Sequence, residues 1–426
     1  MKHIFVLAMD DLQRKELETV RNAENYEFHN VLDIPTLVEA EEIEFDRLLE
    51  QSRSEIKDAG VSVDAIIAHW DFPSSVLAPI LGKEFGVPAP SLESVLKCEH
   101  KYWSRLEQAK AVPDVVPKFC NFDPFAEDPR AEIDLEFPFW VKPVKSFSSQ
   151  LGFLIKSEAD FDHAIEKTRE GIGRIGSAFD EALAHIELPE ELRNAGGMTC
   201  LAEEIIDGTQ IAPEGSVRRG KIDINGVIDV NKDETGTKID RFEYPSSASE
   251  ELQQKVIDTS EKIIKHIGFD NGCFNVEFMW DEKKQQLWLI EINTRISQSH
   301  SEMFILVDGM SNHATAIEVA LGEETRLPKG EGPYNVAAKF TIMHPDDGIV
   351  ERTPSDKELE ELEQMFPGMH LKLDVKPGMR LSEKVNQDAY QYVLGEVYLG
   401  ADSQEELLKR YDECLDVLQV EIRPVG

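Results

Sequence analysis

Short apolar runs alternate with amphipathic stretches along the first ninety residues of the chain. Ile4 to Ala8 and residues 64–68 have the length and composition of buried parallel strands. Glu39 to Asp58 carries apolar residues at helical spacing, and a further helix is predicted to end at Phe85, just before a glycine. This alternation predicts a small α/β layer domain over residues 1–95.

Farther along the chain, the pattern predicts shorter strands, turns and longer helices. Leu92 to Lys110 reads as one helix, and the apolar strand from Phe137 to Pro143 contains a lysine next to its last residue. Between Cys200 and Tyr244, strands separated by glycine turns predict an antiparallel meander, with a loop at Asn231 to Asp240. The remaining predictions are helices at 158–171 and 250–267, strands at 272–280 and 286–293, and, after residue 332, strands with one long helix at 403–418.

The charge balance narrows the classes of function. The chain has 426 residues, a length typical of two to four domains, and its 45 basic and 82 acidic side chains give a net charge of −37. A field of that sign repels phosphate backbones and anionic lipids, so we expect neither nucleic acid nor a membrane as a partner. Any anionic ligand therefore needs a local basic pocket.

The cysteines and the first residues of the chain bear on the cellular compartment. The five cysteines are scattered without CxxC spacing, which favours buried thiols in a reducing environment over disulfides or a cysteine zinc site. The apolar run after Met1 spans only about seven residues, too few for a secretory signal or a membrane span. We therefore expect a cytoplasmic protein.

The strongest chemical signal is a predicted hairpin with acidic residues in apolar strands. Glu277 lies in the first strand, and Glu291 and Asn293 share one face of the second. If the two strands pair, the three side chains converge as an oxygen-ligand set suited to Mg²⁺. The alternative is a solvent-facing sheet surface, which the apolar neighbours and the cost of an unpaired buried carboxylate disfavour. Arg295 follows directly, where it could neutralise a carboxylate or hold an anionic substrate.

Two lysines and a histidine–aspartate pair give further signals. Taken singly, Lys101 and Lys142 read as ordinary surface lysines, but with the carboxylate hairpin they would supply the positive charge that nucleotide phosphates need. His69 and Asp71 follow a predicted parallel strand, where ligands often bind. The alternative, preferred on the residues alone, is that Asp71 caps the next helix and His69 is a loop residue.

In their order along the chain, these motifs resemble those of the ATP-grasp superfamily, which includes ADP-forming carboxylate–amine ligases and biotin carboxylases. The resemblance extends over residues 1–420, and its matching segments are 98–101, 112–118, 139–143, 201–208, 274–278 and 289–295. It implies a mixed fold, α/β and α+β. The implied parts are an N-terminal parallel α/β domain at 1–95, a first ATP-grasp lobe with a mobile lid at 96–200, a second lobe with the metal site at 201–330, and a C-terminal α+β domain at 331–426.

The resemblance also implies roles for individual residues. Glu277, Glu291 and Asn293 would bind Mg²⁺ or Mn²⁺, and Glu291, Asn293 and Arg295 would be catalytic. The implied ATP contacts are Lys101 and Lys142 on the phosphates, Glu203, Glu204, Ile205 and Ile206 at the adenine hinge, and Gln210 on the ribose. The phosphate loop has few glycines, so the hydroxyl groups of Ser148 and Ser149 are expected to substitute for glycine amides. The implied substrate contacts are Glu214, Ser297, His300 and Glu302.

An enzyme of this kind uses ATP to convert a carboxylate into an acyl phosphate, which an amine then attacks to form an amide or peptide bond. The motif at 293–303 resembles both biotin carboxylases and dipeptide-forming ligases, and the length of the chain with its C-terminal domain favours the latter, with amino acids or small peptides as the small-molecule substrates. A homodimer is the default assembly for such ligases. One alternative is a bicarbonate-activating enzyme similar to biotin carboxylase. Another is an ATP-binding regulatory protein without turnover, which the intact set of Glu277, Glu291, Asn293 and Arg295 disfavours.

Overall fold

The structure is a computed structural model that describes residues 1–38, 40–146, 151–232, 239–383 and 392–425. The chain divides into two compact units, each built from several segments. The first unit comprises Met1–Asn225, Glu250–Ser297 and His313–Arg326, and the second comprises Gly226–Ser249, Gln298–Asn312 and Leu327–Gly426.

The first unit begins with a three-stranded parallel sheet flanked by helices. Its elements are β1 (Lys2–Leu7), α1 (Asp11–Thr19), β2 (Tyr26–Val31), α2 (Ile34–Leu37), α3 (Phe45–Asp58), β3 (Ala65–Ala68) and α4 (Ser74–Phe85). The strand order is β2-β1-β3, and both pairs are parallel. The predicted alternation of strands and helices is confirmed. The start predicted for the helix at Glu39 to Asp58 is wrong, because residues 41 and 42 form a bend and α3 begins only at Phe45.

A second layer of the first unit contains a four-stranded antiparallel sheet. Its elements are α5 (Leu92–Glu99), α6 (Lys101–Ala111), β4 (Phe119–Phe122), β5 (Phe139–Pro143), β6 (Phe153–Ile155), α7 (Glu158–Gly171), α8 (Gly173–Leu183) and β7 (Cys200–Glu204). The strand order is β4-β7-β5-β6. Phe139, Phe161 and Ile165 are among the side chains of its buried core.

The helix predicted at 92–110 is two helices, and the break lies at His100. The backbone of this residue is extended, and its buried ring accepts a hydrogen bond from the N–H of Trp103 at 3.2 Å. Burial lowers the pKa of His100 to about 4, so the ring stays neutral and can accept that bond. The ring thereby caps α6, and Lys101 becomes the first residue of a new helix.

The next elements include the predicted hairpin and part of the predicted meander. They are β8 (Thr209–Arg218), β9 (Lys221–Lys232), β10 (Ile239–Tyr244), α9 (Glu250–Ile267), β11 (Gly272–Asp281), β12 (Gln286–Asn293), α10 (Gln298–Asp308) and α11 (His313–Ala320). The meander is present only from β8 to β10, because β7, its expected first strand, pairs with β4 and β5 in the four-stranded sheet. The first unit contains the order β12-β11-β8 and then the beginning of β9. Arg219 and Gly220 join β8 to β9 with φ of 51° and 77°, the positive values that a two-residue hairpin turn requires. The loop predicted at 231–240 is shorter in the structure, since β9 ends at Lys232 and β10 begins at Ile239, and residues 233–238 lie outside the described part.

The second unit contains the end of β9, then β10, and the last elements of the chain. These are β13 (Val336–His344), β14 (Gly348–Arg352), α12 (Asp356–Met365), β15 (His370–Leu373), β16 (Tyr392–Ala401), α13 (Gln404–Val417) and β17 (Glu421–Pro424). Its larger sheet has the order β9-β10-β13-β16-β15, and β14 pairs with β17. The prediction of a single helix here is wrong, because α12 forms behind a capping box made by Ser355 and Glu358.

Two further predictions concern the whole chain. All five cysteines have free thiols, as expected. No helix in the described ranges is long and apolar enough to cross a membrane.

Candidate active site

The predicted carboxylate hairpin is formed by β11 and β12. The strands pair antiparallel, with Glu277 opposite Glu291 and Asn275 opposite Asn293. The amide of Asn293 donates to Glu277 Oε1 at 3.1 Å, and the amide of Gln210 on β8 donates to Glu277 Oε2 at 2.8 Å. The convergence of Glu277, Glu291 and Asn293 is therefore present in the structure.

The electrostatics of this set fit a divalent cation. Burial, together with the negative charge of Glu291, raises the pKa of Glu277 well above its ordinary value. Burial also acts to raise the pKa of Glu291, but the charges of Lys101 and Lys142 outweigh it and the net shift is downward. Two carboxylates that face each other, with an amide oxygen beside them, form the hard-oxygen donor set that Mg²⁺ prefers. A bound cation would relieve the repulsion between Glu277 and Glu291.

The two predicted lysines lie at this site and are mostly buried, so the alternative of ordinary surface lysines is wrong. Lys101 Nζ donates to the carbonyl oxygen of Ser146 at 2.8 Å and lies 3.6 Å from Glu291 Oε2. Lys142, on β5, forms an ion pair of 2.6 Å with Glu203 Oε2. The two lysines and these two glutamates line one small, partly open pocket. Its lining carries three basic side chains against two carboxylates, which locally reverses the charge of the protein.

The third basic side chain of that lining, Arg105, was not predicted. It lies one helical turn after Lys101 on α6, and it forms a buried ion pair with Glu203. Its guanidinium also donates to the carbonyl oxygen of Leu289 and to Gln108 Oε1, both at 2.6 Å. The sequence feature that could have identified Arg105 is the spacing of Lys101, Arg105 and Gln108, which puts three polar side chains on one helix face.

Another buried ion pair joins the loop after β5 to the end of α5. Lys145 pairs with Glu99, and the hydroxyl of Thr294 donates to the other oxygen of Glu99 at 3.3 Å. Neither Lys145 nor Glu99 was predicted as a site residue. A sequence feature that could have identified Lys145 is its position just after an apolar strand and three residues after Lys142.

Glu203→Gln tests the buried network around Arg105 and Lys142. Burial acts to raise the pKa of Glu203, but the two cations outweigh it and lower the pKa from 4.5 to about 2. Such a group stabilises the folded state above its unfolded pKa, and the stabilisation is lost as the pH falls from 4.5 towards 2. We expect Glu203→Gln to lower the free energy of unfolding at pH 7 by about 3–5 kcal/mol, because two buried cations lose their partner.

The measurement is urea unfolding at several pH values, with Glu204→Gln as the matched control. Glu204 is the exposed neighbour on the same strand, and its replacement should change stability by less than about 0.5 kcal/mol. The difference between wild type and Glu203→Gln should shrink below pH 4.5. Equal effects of the two variants, or a difference that does not depend on pH, would contradict the role given to Glu203.

Arg295 pairs with Asp71, which comes from the loop after β3. Arg295 Nε and Nη2 donate to the two carboxylate oxygens of Asp71 at 2.8 and 2.9 Å. Burial acts to raise the pKa of Asp71, yet Arg295 lowers it to about 2. The preferred reading of Asp71 as a helix cap is therefore wrong, since α4 has no side-chain cap and the carboxylate holds Arg295. His69 is fully buried rather than an ordinary loop residue, and its ring lies 3.2 Å from His313 Nδ1.

The other predicted residues fall into three groups. Glu203 and Glu204 belong to β7, which pairs with a strand on each side, whereas Ile205 and Ile206 follow its end. Ser148 and Ser149 lie outside the described residues.

The remaining four were predicted as substrate contacts: Glu214, Ser297, His300 and Glu302. Glu214 is fully buried and accepts from the N–H of Ser297 at 2.9 Å. His300 and Glu302 lie on α10 in the second unit, where the buried ring of His300 packs near Phe242 and Phe304.

Comparisons with known proteins bear on the family and the fold of the chain. Residues 135–302 match the model of the ATP-grasp domain family. A search of curated proteins finds no match.

Solved structures share the fold at low sequence identity. The L-amino acid ligase from Bacillus licheniformis has a TM-score of 0.75 at 16% identity, covering 100% of this chain and 99% of that one. The carboxyaminoimidazole ribonucleotide synthase from Aspergillus clavatus, complexed with ATP, has a TM-score of 0.66 at 15% identity and covers 98% of each chain. The biotin carboxylase domain of the Hydrogenobacter thermophilus 2-oxoglutarate carboxylase, in complex with MgADP and bicarbonate, has a TM-score of 0.62 at 15% identity, covering 99% of this chain and 91% of that one. Residues 135–302 therefore match the ATP-grasp domain family, and the chain shares the fold of these three enzymes over nearly its whole length.

Proposed function

We propose that the protein is an ATP-dependent, ADP-forming carboxylate–amine ligase that acts on amino acids or small peptides. The observation that carries the proposal is that Glu277, Glu291 and Asn293 converge beside Lys101 and Lys142, and that all five side chains are partly buried. This arrangement is a local positive site beside an oxygen-ligand set, in a protein whose net charge of −37 would otherwise repel ATP.

In the proposed reaction, a carboxylate oxygen of the substrate attacks the γ-phosphorus of ATP and the bond to ADP breaks. An amine then attacks the acyl phosphate, and phosphate leaves as the amide forms and a proton is lost. Glu277, Glu291 and Asn293 would hold Mg²⁺, which would neutralise the charge of the phosphate oxygens when bound. Phosphoryl transfer needs mainly positioning and charge compensation from the protein.

Three basic side chains of the protein have separate roles in this reaction. Lys101 is anchored by the Ser146 carbonyl, and Lys142 is anchored by Glu203, so both ammonium groups are fixed before ATP binds. Preorganised charges of this kind need no rearrangement during the reaction. Arg295, fixed by Asp71, is the group that we assign to the substrate carboxylate.

A second cavity supports an apolar amino acid as one substrate. It is partly open and is bounded on one side by Thr294, Arg295 and Ile296. Most of its other lining is aliphatic, from β3, α4 and α11. A carboxylate next to Arg295 with an apolar side chain in this cavity would satisfy both surroundings. The shared fold over nearly the full length of an L-amino acid ligase supports the same substrate class.

The test is ADP release from Mg-ATP with pools of amino acids, dipeptides or bicarbonate, with mass detection of the products. We expect pools with apolar amino acids to stimulate ADP release and to give an amide product whose mass equals the two substrates less one water. Stimulation by bicarbonate without any amino acid would instead support the second candidate, a bicarbonate-activating enzyme. The fold shared with the biotin carboxylase domain is the observation that favours this candidate. If ATP binds and no pool stimulates its turnover, the ligase proposal is wrong.

A further inference from the structure

A cluster of metal-binding side chains lies at the edge of the N-terminal parallel sheet. It consists of His3 on β1 and Glu27 and His29 on β2, the edge strand. None of the three belongs to the candidate active site. In the parallel register, His3 lies opposite Glu27 and Phe5 lies opposite His29, so the four side chains share one face of the sheet.

The distances within this cluster are those of a preformed metal site. His3 Nδ1 lies 3.0 Å from His29 Nε2 and 3.4 Å from Glu27 Oε2, and His29 Nε2 lies 4.0 Å from Glu27 Oε1. In a tetrahedral zinc site with bonds near 2.0–2.1 Å, two ligand atoms are separated by about 3.3 Å. The observed separations lie around that value.

Neighbouring groups position the two histidines, and the cluster is open to water as a further metal ligand. The ring of His29 stacks on Phe5 with centroids 4.7 Å apart, and the backbone N–H of His3 donates to Asp64 at 2.8 Å. The side chain of Glu27 is 51% exposed, so water can reach the cluster. A site with two imidazoles, one carboxylate and an open position has the composition of a three-ligand zinc centre.

We propose that His3, Glu27 and His29 bind one Zn²⁺ ion or a similar divalent transition-metal ion. The nitrogen ligands select against Mg²⁺, which prefers oxygen donors, so this site and the proposed ATP site differ in metal preference. The bound ion would fasten the edge strand β2 to β1 and thereby stabilise this sheet. The alternative is a simple N–H···N hydrogen bond between the two rings, which needs no metal.

The experiment is calorimetric titration of the full chain with Zn²⁺ in the presence of excess Mg²⁺, together with the visible absorption of bound Co²⁺. We expect one Zn²⁺ per chain, a four-coordinate Co²⁺ spectrum and a rise in melting temperature on adding Zn²⁺. His3→Gln and His29→Gln should each weaken binding by about 100-fold or more, since even residues behind the ligands change affinity by 10–100-fold.

Two matched variants serve as controls for Zn²⁺ binding. His163→Gln replaces an exposed histidine on α7, and Glu291→Gln alters the proposed Mg²⁺ site; both should keep the Zn²⁺ affinity of the wild type. His29→Gln, on the edge strand, provides a second test if His3→Gln does not fold. Unchanged Zn²⁺ affinity in the folded His3 and His29 variants, or a loss of affinity only in Glu291→Gln, would overturn the proposal. Neither result would bear on the ligase reaction.

Discussion

Glu291→Gln should reduce the turnover of the enzyme by at least about 100- to 1,000-fold. Glutamine keeps the shape of the side chain and removes its charge. The proposed Mg²⁺ site then loses one of its two carboxylates, and Lys101, 3.6 Å away, loses a counter-ion. Burial and the charge of Glu291 together raise the pKa of Glu277, so the variant should also lower that pKa. The measurement is Mg-ATP-dependent ADP release at saturating ATP and substrate.

The matched control is Glu251→Gln, the same chemical change on the exposed surface of α9. It should leave turnover unchanged. Glu277→Gln and the double variant complete the comparison, because residues that bind one ion act as a unit and their losses should not add. Turnover of Glu291→Gln within threefold of the wild type would rule out this residue as a metal ligand.

Arg295→Lys should lower kcat/KM for the carboxylate substrate by about 100-fold, the loss seen when one preorganised donor is removed. The variant keeps a positive charge but loses the planar fork that donates two hydrogen bonds to Asp71. A lysine at this position is a flexible point charge that Asp71 cannot hold in one orientation. Because Lys101 and Lys142 are untouched, KM for ATP should change little.

Asp71→Asn tests whether Asp71 acts by orienting Arg295 or by contacting the substrate itself. It leaves Arg295 in place and removes the carboxylate that orients it, so kcat/KM for the carboxylate substrate should fall by a smaller factor. If Asp71 acts through Arg295, the double variant should resemble Arg295→Lys alone. Arg47→Lys, at a highly exposed position, serves as the control. A large loss in ATP affinity with an unchanged KM for the carboxylate would contradict the assignment of Arg295.

The parts of the structure that the sequence predicted well are those that depend on local spacing. α9 and β12 have the predicted limits, since each has a regular pattern of apolar residues over its whole length. The convergence of Glu277, Glu291 and Asn293 was also predictable, because a short turn joins their strands and alternate residues share a face.

The helix break at His100 shows where such reasoning ends. The helical spacing continues through this residue, so the pattern predicts one helix. In the structure, the ring of His100 is buried, accepts from the Trp103 N–H, and lies 2.7 Å from the carbonyl oxygen of Ala195. That last contact joins residues 95 positions apart, and no local pattern contains it.

The sequence by itself determined the alternating first layer, the acidic hairpin and the need for a local basic pocket in a chain of charge −37. Only the tertiary structure added Arg105 to the two lysines predicted for that pocket and showed which acidic side chains hold the basic ones. Arg105 meets Glu203 from 98 residues away, and Asp71 meets Arg295 from 224 residues away. The physical reason is that strand and helix periodicity fixes which neighbours share a face. The pairing of distant ions depends instead on how whole layers pack, which many side chains determine together.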